Sequence, residues 1–158
     1  MVKMYVILLV LFIPSCDLFE PQPVDTPDEL LSAPEKIIID GREFILETYM
    51  WRDFQPVSPP DGKPLIAIVW ITAVDSLAIP AELDATRLWI IKDREVWETP
   101  FSDEDRGHVP DHKLEKVARN GPKWGPNITV NVVVRVVDKR NGRQYLLRAS
   151  EQYIGMTV

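Results

Sequence analysis

The sequence predicts an all-β domain, arranged as an antiparallel sandwich of about seven or eight short strands. Short apolar runs recur along residues 35–158, separated by Gly, Pro and Asn-Gly turn signals. Residues 128–137 alternate between two faces, with Ile128 and the valines at 130, 132, 134 and 136 on one face. Asn141-Gly142 then marks a tight hairpin turn, which is the strongest turn signal in the chain.

The first half of the domain is expected to open with a hairpin. Residues 36–39 and 44–51 are strand-like, and Asp40-Gly41 between them is a tight-turn signal. A proline-rich stretch, residues 55–62, follows and predicts a loop. Residues 65–71 are apolar on both faces, which is typical of a central strand covered on two sides.

The second half predicts two further hairpins and one ambiguous segment. Residues 87–91 and 95–98 form one hairpin around a short loop, and residues 145–149 return from residues 128–137 to form the other. Residues 111–121 suit a short helix, with Asp111 as N-cap and Gly121 as stop. The same segment also suits an edge strand among its strand neighbours, and the strand is slightly preferred.

The N-terminus indicates export. Residues 4–13 are apolar and follow Lys3, and this run is about half the ~20 residues that a membrane-spanning helix needs. Residues 13–16, Ile-Pro-Ser-Cys, resemble a bacterial lipobox, although Pro14 departs from the residues usual at its position. The resemblance implies cleavage after Ser15 and a diacylglycerol thioether on Cys16. An ordinary cleaved signal, or an apolar helix docked on the domain, is the alternative.

The resulting organisation is a signal peptide (1–15), a lipidated Cys16 with a proline-rich tether (16–34), and the β-sandwich (35–158). Prolines at 21, 23, 27 and 34 favour an extended tether of up to ~50 Å, although residues 28–31 suit one helical turn. The layout of the domain resembles immunoglobulin-like domains of envelope lipoproteins. The resemblance implies a position on the bacterial cell envelope, lipid-anchored on the periplasmic or outer-surface side.

Composition excludes several classes of function. The net charge of −6 disfavours nucleic acid, which is bound through clustered Lys and Arg. Cys16 is the only cysteine, so the chain has no intramolecular disulfide and no cysteine-rich metal site. Phosphate-cradling glycine loops are missing from the sequence, and no cofactor is expected.

The sequence offers no convincing catalytic or metal constellation. His108 and His112 lie near the acidic residues 103–105, but Pro110 prevents a regular helix that would present both imidazoles on one face. The same run does not match a calcium loop, so we interpret it as a solvated acidic loop. No serine stands in a nucleophile elbow, and we expect no enzyme. A carboxylate pair for glycoside hydrolysis stays open, because it depends on three-dimensional separation.

Tryptophans suggest a binding surface. Trp97 and Trp124 are the candidate ligand-binding residues, and Trp51 also lies beside polar residues. The alternative is that these rings cover the open ends of the sandwich. We therefore expect a non-catalytic, lipid-anchored module that docks another envelope protein. An inhibitor or a glycan- or ligand-binding module that uses loops 55–63 and 101–113 is the alternative, and a carboxylate hydrolase is the third reading.

Overall fold

The computed structural model describes residues 26–104 and 107–158. These residues form one short helix and eight strands. The elements are α1 (Pro27–Leu31), β1 (Lys36–Ile39), β2 (Arg42–Asp53), β3 (Leu65–Ala73), β4 (Leu83–Lys92), β5 (Glu95–Thr99), β6 (Lys113–Gly121), β7 (Ile128–Asp138) and β8 (Arg143–Thr157). The ambiguous segment 111–121 is thus mainly strand β6, as the sequence slightly preferred.

The three predicted hairpins are confirmed. β1 pairs antiparallel with β2, β4 with β5, and β7 with β8. In the first hairpin Asp40 and Gly41 both have positive φ, of 50° and 76°. This is the backbone that a two-residue turn matching the right-handed strand twist requires, and glycine adopts it without a steric cost.

One hydrogen-bonded path joins the strands in the order β5-β4-β7-β8-β2-β3-β6, with β1 paired to the first part of β2. Neighbours on this path are antiparallel except β2 and β8, which run parallel over residues 50–53 and 154–157. The all-β prediction is confirmed. The finer prediction of an antiparallel, immunoglobulin-like sandwich is not confirmed, because the parallel pair joins both halves into one curled mixed sheet.

The curled sheet nearly closes on itself. A bridge between Ser102 and Val117 brings the chain that follows β5 against β6. Nearby, the Trp97 ring of β5 lies directly over Gly121 at the end of β6. The two ends of the hydrogen-bonded path therefore approach each other around a shared interior.

The main core fills the inside of this curl. Alternating side chains from the long strands point inward, as the period of two requires. They include Phe44, Met50, Leu65, Leu88, Ile90, Leu147, Ile154 and the valines at 69, 130, 132, 134 and 136. Burial on both sides of β3, where Ile68 is also buried, confirms the expectation of a central strand.

A second, smaller core lies on the outside of the sheet. Leu30 of α1 and Ala33 pack there with Trp89, Ile91 and Val133, all of them buried. The short helix can form because a capping box closes its N-terminus. Thr26 Oγ1 accepts a hydrogen bond from the Glu29 N–H at 3.3 Å, and the Glu29 carboxylate accepts one from the Thr26 N–H at 3.2 Å.

The segment after α1 is also held on the domain. The Arg148 backbone N–H donates to the Pro34 carbonyl at 2.9 Å, and its guanidinium donates to the Ala33 carbonyl at 3.0 Å. Residues 26–34 were expected to belong to an extended tether, whereas the structure packs them against β7 and β8. Cys16 and the rest of the tether lie outside the described residues.

Candidate functional site

A groove opens on the outer surface where β2 and β8 meet. It has a volume of about 490 Å³, within the range of ~300–1,000 Å³ that is usual for ligand pockets. Eight residues line it: Thr48, Tyr49, Met50, Trp51, Gln152, Tyr153, Gly155 and Met156. We call this feature the aromatic groove.

The first wall of the aromatic groove comes from β2. Met50 points into the core and is 2% exposed, so its neighbours Tyr49 and Trp51 must face outward. Their ring centroids lie 5.1 Å apart at an angle of 35°, which is a favourable tilted arrangement. Tyr49 remains 55% exposed.

The second wall comes from β8 and depends on a β-bulge. Val130 of β7 faces Gln152, but Val132 faces Ala149, so β8 carries one extra residue between these pairs. Leu147 and Ala149 point inward before the bulge, and Ile154 points inward after it. The bulge therefore shifts the alternation by one residue and turns Tyr153 outward, as bulges commonly do near functional sites.

Tyr153 is held in place beside a small floor residue. Its hydroxyl hydrogen-bonds with the side-chain oxygen of Asn127, which fixes the ring direction. Gly155 lies next to the ring: a Cβ at this position would stand 3.6 Å from Tyr153 Cε1. Gly155 thus lies in contact distance of the ring, and a methyl group at this position would fit beside it.

The polar residues of the aromatic groove are uncharged. Thr48 Oγ1 donates to Gln152 Oε1 at 2.6 Å, and Gln152 Nε2 donates to the Ser150 carbonyl at 2.7 Å. None of the eight lining residues carries a charge. The site combines aromatic faces with neutral hydrogen-bonding groups.

A polar cluster occupies the same outer face of the sheet, farther along β2 and β3. Glu47 accepts hydrogen bonds from Lys113 Nζ at 2.6 Å and from Thr72 Oγ1, and these two bonds lower the pKa of Glu47. Trp70 Nε1 donates to Glu115 at 2.6 Å. These hydrogen bonds link side chains of β2, β3 and β6 to one another.

The two tryptophans predicted as ligand-binding residues are half-buried and pack against the main core. Trp97 covers Gly121 and Leu65, and Trp124 lies near Lys92, whose ammonium is 5.9 Å from the ring centroid. Both rings lie at the end of the curled sheet where β6 ends. This position agrees with the alternative that such rings cover an open end, while ligand binding by them stays a prediction.

The loops proposed for the alternative function approach each other over part of their length. Loop 55–63 begins where β2 ends and leads into the start of β3. The His112 carbonyl, by contrast, accepts a hydrogen bond from the Ala73 N–H at the opposite end of β3. Nine strand residues separate these ends by about 26 Å. The His112 end of loop 101–113 therefore lies far from loop 55–63. Ser102, near the start of that loop, instead bridges Val117, whose partner Ile68 lies close to the start of β3.

A buried arginine that the sequence analysis missed organises loop 55–63. Arg52 is 2% exposed, and its guanidinium donates to four backbone carbonyls. Two lie before β3, at Asp61 and Lys63, and two lie before β7, at Lys123 and Gly125. Arg52 also lies 4.9 Å from the centroid of the Phe54 ring. It joins the proline-rich loop to the loop that carries Trp124.

In residues 26–104 and 107–158, no three His, Cys, Asp or Glu side chains gather into a possible metal site. The one helix in that part of the chain, α1, lacks the length and apolar character to cross a bilayer. Comparison with protein-family models, curated proteins and solved structures finds no match.

Proposed function

We propose that this chain is a non-catalytic binding module of the bacterial envelope, anchored to a membrane through acylated Cys16. The lipobox-like residues 13–16 support the anchor, and two or three acyl chains at ~0.8 kcal/mol per methylene would make it stable. The module docks another component of the envelope, for which the sequence suggests a protein partner. No metal, nucleic acid or cofactor enters this proposal.

The aromatic groove is the observation that carries the binding function. Tyr49 and Tyr153 are 55% and 57% exposed and stand on regular, paired strands rather than on mobile ends. Rigid, amphipathic aromatic rings are the residues that most often contribute binding energy at interfaces. A folded domain that keeps such rings outside its core has a ready contact surface.

The competing classes receive less support. A carboxylate hydrolase needs two carboxyl groups facing each other across a cleft, whereas the lining of the aromatic groove has none. An inhibitor that uses the full length of loops 55–63 and 101–113 would need a target that reaches from the start of β3 to the His112 end of the second loop, about 26 Å away. A glycan ligand does have a specific observation in its favour, the neutral lining described above.

The anchor and the docking surface are tested separately. Labelling of cells with a radioactive fatty acid, followed by membrane fractionation, should give a labelled membrane protein that Cys16→Ala converts to an unlabelled one. An unlabelled wild-type chain would contradict the anchor.

For docking, a photo-crosslinking residue replaces Tyr153, with Asp93 in the exposed β4–β5 turn as the control position. Position 153 should capture an envelope component in living cells and position 93 should not. Equal capture at both positions, or none at either, would contradict the proposed surface.

A further inference from the structure

We propose that the aromatic groove binds a neutral glycan chain, with sugar rings stacked on Tyr49, Trp51 and Tyr153. The inference rests on the proposed binding function and names the ligand class of the same site. It moves the ligand site away from the sequence-predicted Trp97 and Trp124, which pack against the core. Three properties of the groove favour a glycan over other occupants.

The first property is charge. The chain as a whole is acidic, with a net charge of −6, yet none of the eight lining residues is charged. A charged ligand such as a nucleic acid or a phospholipid headgroup would find no counter-charge in this lining. A neutral glycan needs none, because its hydroxyl groups satisfy themselves with neutral donors and acceptors.

The second property is the shortness of the open strand edge along the groove. β2 pairs with β8 only over residues 50–53, so the edges at residues 48–49 and 152–153 are not paired across the groove. β1 covers the same edge of β2 up to Ile45, which leaves residues 46–49 of β2 open. A peptide that binds by strand addition usually pairs over about five or six residues, so this short edge favours it less than the side-chain faces do.

The third property is the preorganisation of those faces. Tyr153 is held by Asn127, and Tyr49 packs against Trp51 at 5.1 Å. Rings that are already fixed lose little conformational entropy when a ligand stacks on them. A pyranose ring with equatorial hydroxyls presents apolar C–H faces that can cover an aromatic ring, while its hydroxyls point sideways.

Two polar groups on the rings themselves are available to these hydroxyls. Thr48 and Gln152 also line the groove, but they hydrogen-bond to each other. They are paired with the core residues Val69 and Val130, which places them on the opposite face from the rings. Among the described residues, neither the Tyr49 hydroxyl nor the Trp51 indole N–H has a protein hydrogen-bond partner. Each can serve a ligand hydroxyl without breaking an existing bond.

The test is calorimetric titration of the full-length chain with two neutral oligosaccharides, a hexamer of β-1,4-glucose and a hexamer of β-1,4-N-acetylglucosamine. A hexamer of galacturonic acid is the anionic comparison. At least one neutral hexamer should bind, and Tyr49→Ala and Tyr153→Ala should each weaken it about thirty-fold. Leu77→Ala is the matched control, because Leu77 is an equally exposed apolar residue at 62% on a distant loop, and it should leave the affinity unchanged.

Tyr153→Phe separates stacking from hydrogen bonding. It keeps the ring but removes the bond to Asn127, so we expect a loss well below that of Tyr153→Ala. Circular dichroism of every variant should match the wild type, since both tyrosines are more than half exposed.

The inference is overturned if neither neutral hexamer binds, if the galacturonate hexamer binds more tightly, or if the tyrosine variants bind as well as Leu77→Ala. Capture of a protein by the crosslinker at position 153, without any glycan binding, would overturn the glycan inference and leave the proposed docking function intact. Failure of both experiments would end both.

Discussion

Gly121 offers a sharp test of how the sheet closes. A Cβ at this position would lie 2.9 Å from Cη2 and from Cζ3 of Trp97 and 3.0 Å from Cβ of Leu65. Such distances lie below any ordinary carbon–carbon contact, so a neighbour has to move. Leu65 is fully buried, and the Trp97 ring is a rigid plane packed on the core. Gly121→Ala should therefore push β5 away from β6.

The size of the effect follows from two opposing terms. Overpacking of a well-filled site lowers the free energy of unfolding by about 1–3 kcal/mol. Replacing glycine also restricts the unfolded chain, which raises the free energy of unfolding by about 0.4–1 kcal/mol. We expect a net loss of about 1–2 kcal/mol in the free energy of unfolding. For a domain of this size the melting temperature should fall by roughly 3–8 °C.

Gly155→Ala is the matched control, because the nearest atom to its Cβ would be 3.6 Å away, an ordinary contact. Neither glycine has a positive φ, so backbone strain does not distinguish the two substitutions. Gly155→Ala should be neutral or stabilising by up to about 1 kcal/mol.

The assay is urea unfolding, monitored by far-ultraviolet circular dichroism. This signal reports the backbone, so replacement of one tryptophan does not disturb it. Trp97→Phe shortens the ring that Gly121 faces, so Gly121→Ala should cost about 1 kcal/mol less in that background. The explanation is refuted if Gly121→Ala changes the free energy of unfolding by less than about 0.5 kcal/mol. It is also refuted if Gly121→Ala costs the same free energy with Phe at position 97 as with Trp. A confirmed coupling would assign Trp97 to packing.

Three further perturbations test other parts of the structure. Arg52→Met should lower the free energy of unfolding, measured in urea, by about 3 kcal/mol, because buried carbonyls lose their donors. It should also expose loop 55–63 to proteolysis, and unchanged stability would contradict this explanation. Leu30→Ala should cost about 2–4 kcal/mol through a cavity beneath α1, whereas a mere spacer would tolerate it. Hydrogen bonds from Lys63 and Arg42 lower the pKa values of Asp53 and Asp75 to about 2. Their stabilisation is complete above about pH 4 and is lost as the pH falls toward 2, so acid unfolding of Asp75→Asn should show a shallower decline in that window.

Much of the strand framework could be predicted because its signals are local. The alternation in residues 128–137 fixes which side of β7 is buried, and Asn141-Gly142 fixes where the chain turns. The short helix at residues 28–31 likewise carries its own capping residues. Segment 111–121 was harder to predict, because the spacing of its apolar residues fits both the helical and the strand period. Only the neighbouring strands decide in favour of a strand.

The aromatic groove was only half visible in the sequence. Alternation along β2 places Tyr49 and Trp51 on the face opposite Met50, so the first wall was available to sequence reasoning. The second wall was not, because the bulge between Ala149 and Gln152 reverses the alternation. Without the bulge Tyr153 would point into the core, so its exposure depends on tertiary pairing.

Two other features depend on distant parts of the chain. The parallel pairing of β2 with β8 joins segments about a hundred residues apart, and no turn signal marks it. Arg52 was overlooked because arginine is usually exposed, and its burial is stabilised by carbonyls from two separate loops. Sequence patterns report periodicity and turns, whereas these contacts arise only when the sheet curls.

The packing of α1 changes the geometry of the proposed anchor. Eighteen residues, 17–34, would allow the domain to stand up to ~50 Å from the lipid. Residues 26–34 are instead held on the sheet by Leu30 and by the hydrogen bonds of Arg148, so only nine residues remain between Cys16 and Thr26. Fully extended, they reach about 28 Å. With the anchor in place, Thr26 would therefore stay within about 28 Å of the lipid, roughly half the height that the full tether would allow.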